Sequence, residues 1–257
     1  MSDKILALAD LHICEQNSEE LRLVKKLVDD VKPVQILIAG DVFENDIDFD
    51  PYIELSKLGA PVIACFGNHE FAYRDVPSTK KFYTDLYKPS LLDVHYLDII
   101  GSKSFMFNGE EVNVIGNVLW YDGSLKDIPS QSDTVISDRW LDASIHHFDF
   151  RAENAANVEQ IKRGFKKGCK NVLLTHTCPD RKLNLFSLEK PSIFNMYSGM
   201  NHLLSDLKRD GIAFDFSICG HTHRRTNCEI DGTPCVNIGN DYLMRGLKIE
   251  NFVIEEL

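Results

Sequence analysis

The sequence predicts an α/β fold built on a parallel β-sheet. Three observations point there. Short, continuous apolar runs recur at residues 4–10, 34–41 and 61–66, the pattern of strands buried on both faces. Segments with helical start and stop signals lie between them. The links are short, so consecutive strands run parallel through right-handed crossovers.

The elements follow in order. Residues 4–10 form the first strand. Asn17, with Glu20 three positions on, reads as a capping-box start, and Leu21, Val24, Leu27, Val28 and Val31 line one face of the helix that follows. Pro33 lies past its end, and residues 34–41 are the second strand. Asp50-Pro51 opens a second helix, Gly59 closes it, and residues 61–66 are the third strand. Later the pattern changes. Asn108-Gly109, between Ser104–Phe107 and Glu110–Ile115, is a hairpin signal. Residues 121–150 are rich in Ser and Asp and predict no regular element; Asp138, Trp140 and Asp142 read as a loop with one buried aromatic rather than a substrate wall. Beyond them the pattern predicts a helix over 153–167 with Gly168 as its stop, a strand over 171–175 and a helix over 199–210. A strand over 213–219, a hairpin over 226–238 and a last strand near 247–254 complete the chain. The cations Lys162, Arg163, Lys166, Lys167 and Lys170 fall at a helix end, where they complement the dipole as a solvated face.

The 257 residues suit one large domain, with an insertion of undefined structure around 71–150. No apolar run approaches the roughly 20 residues of a membrane span. Met1-Ser2-Asp3-Lys4 leads into a strand without the signature of a secretory leader, so a cytoplasmic location and no membrane partner are expected. A net charge of −11, from 28 basic and 39 acidic residues, argues against a broad basic footprint for duplex nucleic acid. Seven cysteines without a CxxC pair signal neither a disulfide framework nor a zinc ribbon, and reduced thiols are expected. Cys228 and Cys235 face each other in the register that Asp231-Gly232 sets, at the wider hydrogen-bonded spacing, which disfavours a bridge.

Each predicted buried strand ends in a polar cluster. These are Asp10-Leu11-His12, Gly40-Asp41-Val42-Phe43-Glu44, Gly67-Asn68-His69-Glu70, Thr175-His176 and Gly220-His221-Thr222-His223. In open α/β sheets the carboxyl ends of the strands share one crevice, so the five clusters should meet. The spacing of two in Asp10-x-His12 and His221-x-His223 would put both side chains on one face of extended chain. Two Asp, one Asn and four His without a Cys suit Mn, Fe, Zn or Ni rather than a soft-metal site. Seven candidates are too many for one ion and about right for two that share a carboxylate.

The ordered set resembles the calcineurin-like metallophosphoesterase superfamily, whose pattern is Asp-x-His, Gly-Asp-x-x-(Asp/Glu), Gly-Asn-His-(Asp/Glu), a His after an apolar strand, and Gly-His-x-His. All five occur in order between residues 10 and 223. The resemblance implies a single domain over 1–257 with two mixed β-sheets packed face to face and flanked by helices. It implies two divalent ions, Mn²⁺ the best fit and Fe, Zn or Ni open. By the same resemblance Asp10, His12 and His223 are ligands of the first ion, Asp41 bridges, and Asn68, His176 and His221 are ligands of the second. His69 is then the unligated histidine that meets the leaving group, and Glu44 the acid that orients it. The implied chemistry is phosphoester hydrolysis by a metal-bridging hydroxide.

The chain also departs from one branch of that superfamily. Its protein serine/threonine phosphatases carry Asp-Arg-Gly after the second motif and an Arg two residues beyond Gly-Asn-His-Glu. Here Glu44 is followed by Asn45-Asp46, and position 72 is Ala. Those arginines clamp phosphomonoesters bidentately. The expected substrate is therefore a phosphodiester or a small nucleotide-like phosphoester, with a single-strand nuclease and a non-catalytic scaffold as alternatives. Val114–Asp122 resembles uncharacterised bacterial and phage members with a Leu-Trp after an apolar strand, which points to a stand-alone enzyme. Arg224, directly after His223, and Asn195 are the candidate substrate contacts; Tyr197 and Ser198 lie beside Asn195.

Overall fold

Strand alternation sorts the apolar residues of this chain into three layers. In the computed structural model, which describes residues 3–44, 47–88, 91–132, 135–184, 191–239 and 251–257, two sheets stack face to face. The first has the order β11-β1-β2-β3-β4, from β1 (Ile5–Leu8), β2 (Gln35–Ala39), β3 (Val62–Cys65), β4 (Val94–Tyr96) and β11 (Phe252–Ile254). β1 to β4 are parallel and β11 is antiparallel to β1. The second has the order β5-β6-β7-β8-β10-β9, from β5 (Ser102–Phe107), β6 (Glu110–Asn117), β7 (Lys170–Thr175), β8 (Phe216–Cys219), β9 (Arg225–Ile230) and β10 (Thr233–Ile238). Its inner strands are parallel, and β5 and β9 close the edges as antiparallel hairpin arms.

Ile5 and Ala7 of β1, Leu37 of β2 and Ile63 of β3 face Val112, Val114, Val172, Leu174, Ile218 and Val236 between the sheets. The alternate residues Leu6, Leu8, Ile36, Ile38, Val62 and Ala64 face outward, into a layer that includes α1 (Glu19–Val31), α2 (Pro51–Ser56) and α3 (Val76–Leu86). On the far side Ile115, Leu173 and Cys219 pack with α5 (Phe150–Gly164) and α6 (Leu203–Arg209). This is the predicted helix–sheet–sheet–helix sandwich. Sheet one is apolar on both faces, which explains its continuous apolar runs.

Some boundaries differ from the sequence reading. The α1 cap is Ser18, whose Oγ accepts from Leu21 N at 3.3 Å. Asn17 instead takes the left-handed conformation, φ 54°, so the capping box shifts out of register and Glu20 is not its partner. α5 starts three residues early because the Asp149 carboxylate accepts from Arg151 N and Ala152 N, and Phe165 already leaves the helix. α6 begins at Leu203 rather than 199. Residues 76–117 supply α3, β4, the short α4 (Leu97–Ile100), β5 and β6, so much of the segment expected as an insertion builds the two sheets. Residues 240–250, which include part of the predicted last strand, lie outside the described residues, as do Asn45 and Asp46. The β9–β10 register pairs Cys235 with Cys228 as expected, and all seven cysteines are free thiols. No helix among the described residues is long and apolar enough to cross a membrane.

Candidate metal centre

The carboxyl ends of β1, β2, β3, β7 and β8 converge, and all five polar clusters meet there. The turns that follow are tight. Leu11 N and His12 N both bond Asp41 O, at 2.8 and 2.9 Å, and His221 N bonds Asp10 Oδ1 at 3.0 Å. Two glycines permit the approach. At Gly67 a Cβ would lie 2.0 Å from Asp41 Oδ1, and at Gly40, φ +78°, it would strike the His176 ring at 2.4 Å.

The backbone is not extended at the ligand pairs. Asp10, His12, Asp41, His221 and His223 all have positive φ, between 47° and 70°. The side chains of Asp10 and His12, and of His221 and His223, therefore converge because each chain curls through the left-handed region. The strand alternation expected for Asp-x-His and His-x-His does not apply here.

Two groups of donors result, and they share Asp41. Donor atoms of Asp10, His12, Asp41 and His223 lie within 4.8 Å of one another, as do those of Asp41, His176 and His221. His176 Nε2 is 3.3 Å from Asp41 Oδ2 and 3.0 Å from Asn68 Oδ1, which brings Asn68 into the second group. The outer nitrogens are held from behind. His176 Nδ1 donates to Ala39 O at 3.0 Å, and His221 Nε2 donates to Tyr197 O at 3.1 Å. These bonds fix the tautomers and leave His176 Nε2 and His221 Nδ1 facing inward.

His12, Glu44 and His69 form a third cluster. Both imidazoles turn Nδ1 to Glu44, at 2.9 and 3.0 Å, so it is a hydrogen-bonded brace rather than a third ion site. Burial works against the Glu44 carboxylate, but the bonds from His12 and His69 win and hold it at about 2. His69 resists charging by burial, yet Asp41 and Glu44 push it up to about 9. His176 is likewise pushed up to about 10 despite burial, chiefly by Asp41. Burial and the His176 charge drive His221 well below the usual imidazole value. A divalent cation between these groups would displace the proton shared by His176 and Asp41 and supply the charge that so many buried carboxylates need. Carboxylate, imidazole and carboxamide oxygen, with no thiolate, fit such an ion.

Three further carboxylates hold the site, and two of them, Asp98 and Asp142, lie outside the five strand-end clusters. Glu70 Oε1 accepts from Val42 N and Phe43 N, and its Oε2 accepts from Gly67 N, tying the second cluster to the third. Asp98 joins the two sheets by accepting from Phe66 N at 2.7 Å and Val118 N at 2.8 Å. Asp142, read from the sequence as part of a loop, is 1% exposed and accepts from Asn68 Nδ2 at 2.8 Å. A cavity of about 290 Å³ opens over Asp41, Asn68, His69, His221 and His223, and Arg139 and Trp140 wall it. A neighbouring apolar cavity of about 250 Å³ is lined by Trp140, Phe194, Asn195, Ser198 and Thr222 among others. Asn195 is fully buried and its amide donates to Asp127. Arg224 is exposed and is not among the described lining residues of either cavity.

Carboxylate and imidazole donors gathered at the strand ends of a two-sheet sandwich are the arrangement of a metal centre. The chain belongs to the calcineurin-like phosphoesterase family, whose model matches residues 3–225. That family is dinuclear and metal-dependent. No curated protein matches the sequence. Among solved structures, the phosphopantetheinyl hydrolase of Mycobacterium tuberculosis is 17% identical with a TM-score of 0.72, covering 98% of this chain and 96% of that one. A dimetal phosphatase from Danio rerio is 12% identical with a TM-score of 0.51, covering 93% and 88%. The protein GAP50, the anchor in the inner membrane complex of Plasmodium, is 12% identical with a TM-score of 0.53, covering 98% and 80%. At these identities the likeness is one of fold.

Proposed function

We propose that this chain hydrolyses phosphodiesters or small nucleotide-like phosphoesters with two divalent ions, Mn²⁺ the best fit. One observation carries the reading: two donor groups share Asp41 at the floor of a cavity that His69 also lines. Asp10, His12, Asp41 and His223 would hold one ion, and Asp41, Asn68, His176 and His221 the other. When bound, such ions lower the pKa of water and neutralise phosphoryl oxygens. The protein's own part is positional. Ala39 O and Tyr197 O hold two imidazoles in their ligating tautomers. Glu44 holds His69 by Nδ1, so Nε2 turns to the cavity and gives its proton to the leaving oxygen as the P–O bond breaks. The absence of an arginine at 72 and directly after Glu44 supports diesters and small esters over phosphoproteins.

The test is a substrate panel on chelator-stripped protein reloaded with Mn²⁺, Fe²⁺, Zn²⁺ or Ni²⁺. It should include bis-p-nitrophenyl phosphate, cyclic and linear nucleotides, single-stranded DNA and a phosphopeptide. Turnover of the diester or a nucleotide with the highest kcat/KM is expected. A phosphopeptide ahead of the diester would overturn the substrate class, and no turnover with any metal would favour a scaffold.

A further inference from the structure

An asparagine can ligate a metal only through its oxygen, yet its carboxamide is nearly symmetrical in shape. Something outside the site must decide which end faces in. In this chain the decision falls to the irregular segment after Tyr121. Asp142 sits behind Asn68, 1% exposed, with three donors aimed at it. Its Oδ1 accepts from Asn68 Nδ2 at 2.8 Å, and its Oδ2 accepts from Tyr121 OH at 2.9 Å and Trp140 Nε1 at 2.8 Å. A carboxylate offers acceptors only, so the nitrogen of Asn68 must point to it, and Oδ1 turns to His176 Nε2, 3.0 Å away.

We infer that Asp142 is the positioning residue of the second ion: it locks the Asn68 oxygen inward and ties that lock to Trp140, which lines both cavities together with His221 and His223. This rests on the two-ion reading above. The three bonds of Asp142 go to Asn68, Tyr121 and Trp140, while the other group is built on Asp10, His12 and His223. Loss of Asp142 should therefore weaken one ion and spare the other.

The experiment is Mn²⁺ titration by calorimetry on the full chain, for wild type, Asp142→Asn and the exchanged pair Asn68→Asp/Asp142→Asn. In Asp142→Asn the new amide can offer its N–H₂ to position 68, which favours a flipped Asn68 with nitrogen toward the metal. Affinity at one of two sites should fall about 10–100-fold, the usual cost of losing such a support, with the other site within about twofold. In the exchanged pair, the carboxylate at position 68 presents oxygen on both sides and accepts from the amide at position 142, so two-ion binding should return. Equal binding by Asp142→Asn and wild type would overturn the inference, as would an exchanged pair that still binds one ion. Should Asp142→Asn fail to fold, the exchanged pair decides alone: two ions support the lock, one ion refutes it. A wild type that binds fewer than two ions would instead overturn the two-ion reading, and this inference with it.

Discussion

A non-glycine residue in the left-handed region gives up about 1–2 kcal/mol, and five of the seven candidate ligands adopt it, Asp10, His12, Asp41, His221 and His223. Such strain persists only where the surroundings over-determine it, and here the Asp41 carbonyl holding Leu11 N and His12 N does so. The candidate donors could be picked out in the sequence because Asp-x-His and Gly-His-x-His are local patterns. The way those side chains converge could not, because φ depends on the partner loop across the sheet. His69 is the residue whose role separates chemistry from bracing. Its Nδ1 is held by Glu44, and its Nε2 lies 3.9 Å from Asp41 Oδ2. An alkoxide leaving group is a strong base and needs a proton; a nitrophenolate does not. His69→Asn should therefore lower kcat about 10²–10⁴-fold on a nucleoside or alkyl ester, and much less on a nitrophenyl ester. Equal losses on both esters would mean that the imidazole only braces the loop.

At the scale of elements, the site depends on contacts that cross between the sheets. Asp98, on the four-residue α4, accepts from Phe66 N past the end of β3 and from Val118 N past the end of β6. Both donors are backbone groups at strand ends. Phe66 adjoins the third polar cluster, and Val118 begins the segment that leads to Tyr121. Nothing in the local sequence marks Asp98, because its two partners are 32 and 20 residues away. The same holds for Asp142, 74 residues from Asn68. By contrast Asn108-Gly109 and Asp231-Gly232 were legible as hairpins, since a two-residue turn is a purely local event. Each buried N–H left without a partner costs about 1–3 kcal/mol. Asp98→Ala strands two, so it should destabilise the protein by about 2–6 kcal/mol in urea unfolding. A cost below about 0.5 kcal/mol, well short of even one stranded N–H, would show that the two strand ends find other acceptors and that Asp98 does not pin the sheets.

For the whole molecule, the first sheet could be read as continuous apolar runs, while the stacking of a second sheet on it could not. Periodicity tells a strand's faces apart but not what covers them. Ile5 and Ala7 face the other sheet and Leu6 and Leu8 face helices, yet all four are fully buried. The candidate centre spans that same divide. Asp10, His12, Asp41 and Asn68 follow strands of sheet one, and His176, His221 and His223 follow strands of sheet two. Two bound ions would thus cross-link the sheets, and an ion that binds only the folded chain stabilises it by about 2.7 kcal/mol at a free concentration a hundred times its Kd. For a chain of this size that is about 5–10 °C in Tm for each ion. The pH dependence follows from His176. Its folded pKa is raised to about 10, above the ordinary value of 6.5, so the protonated imidazole stabilises the stripped protein fully below about 6.5 and loses that contribution as pH rises through 10. An ion must displace that proton, so its own contribution runs the other way and grows with pH. Thermal melts with excess Mn²⁺ and with chelator should therefore differ by several degrees near pH 8 and by less near pH 6. Superimposed melts at both pH values would mean that no ion links the sheets; a gap that widens on acidification would mean that the ligands are not the buried imidazoles.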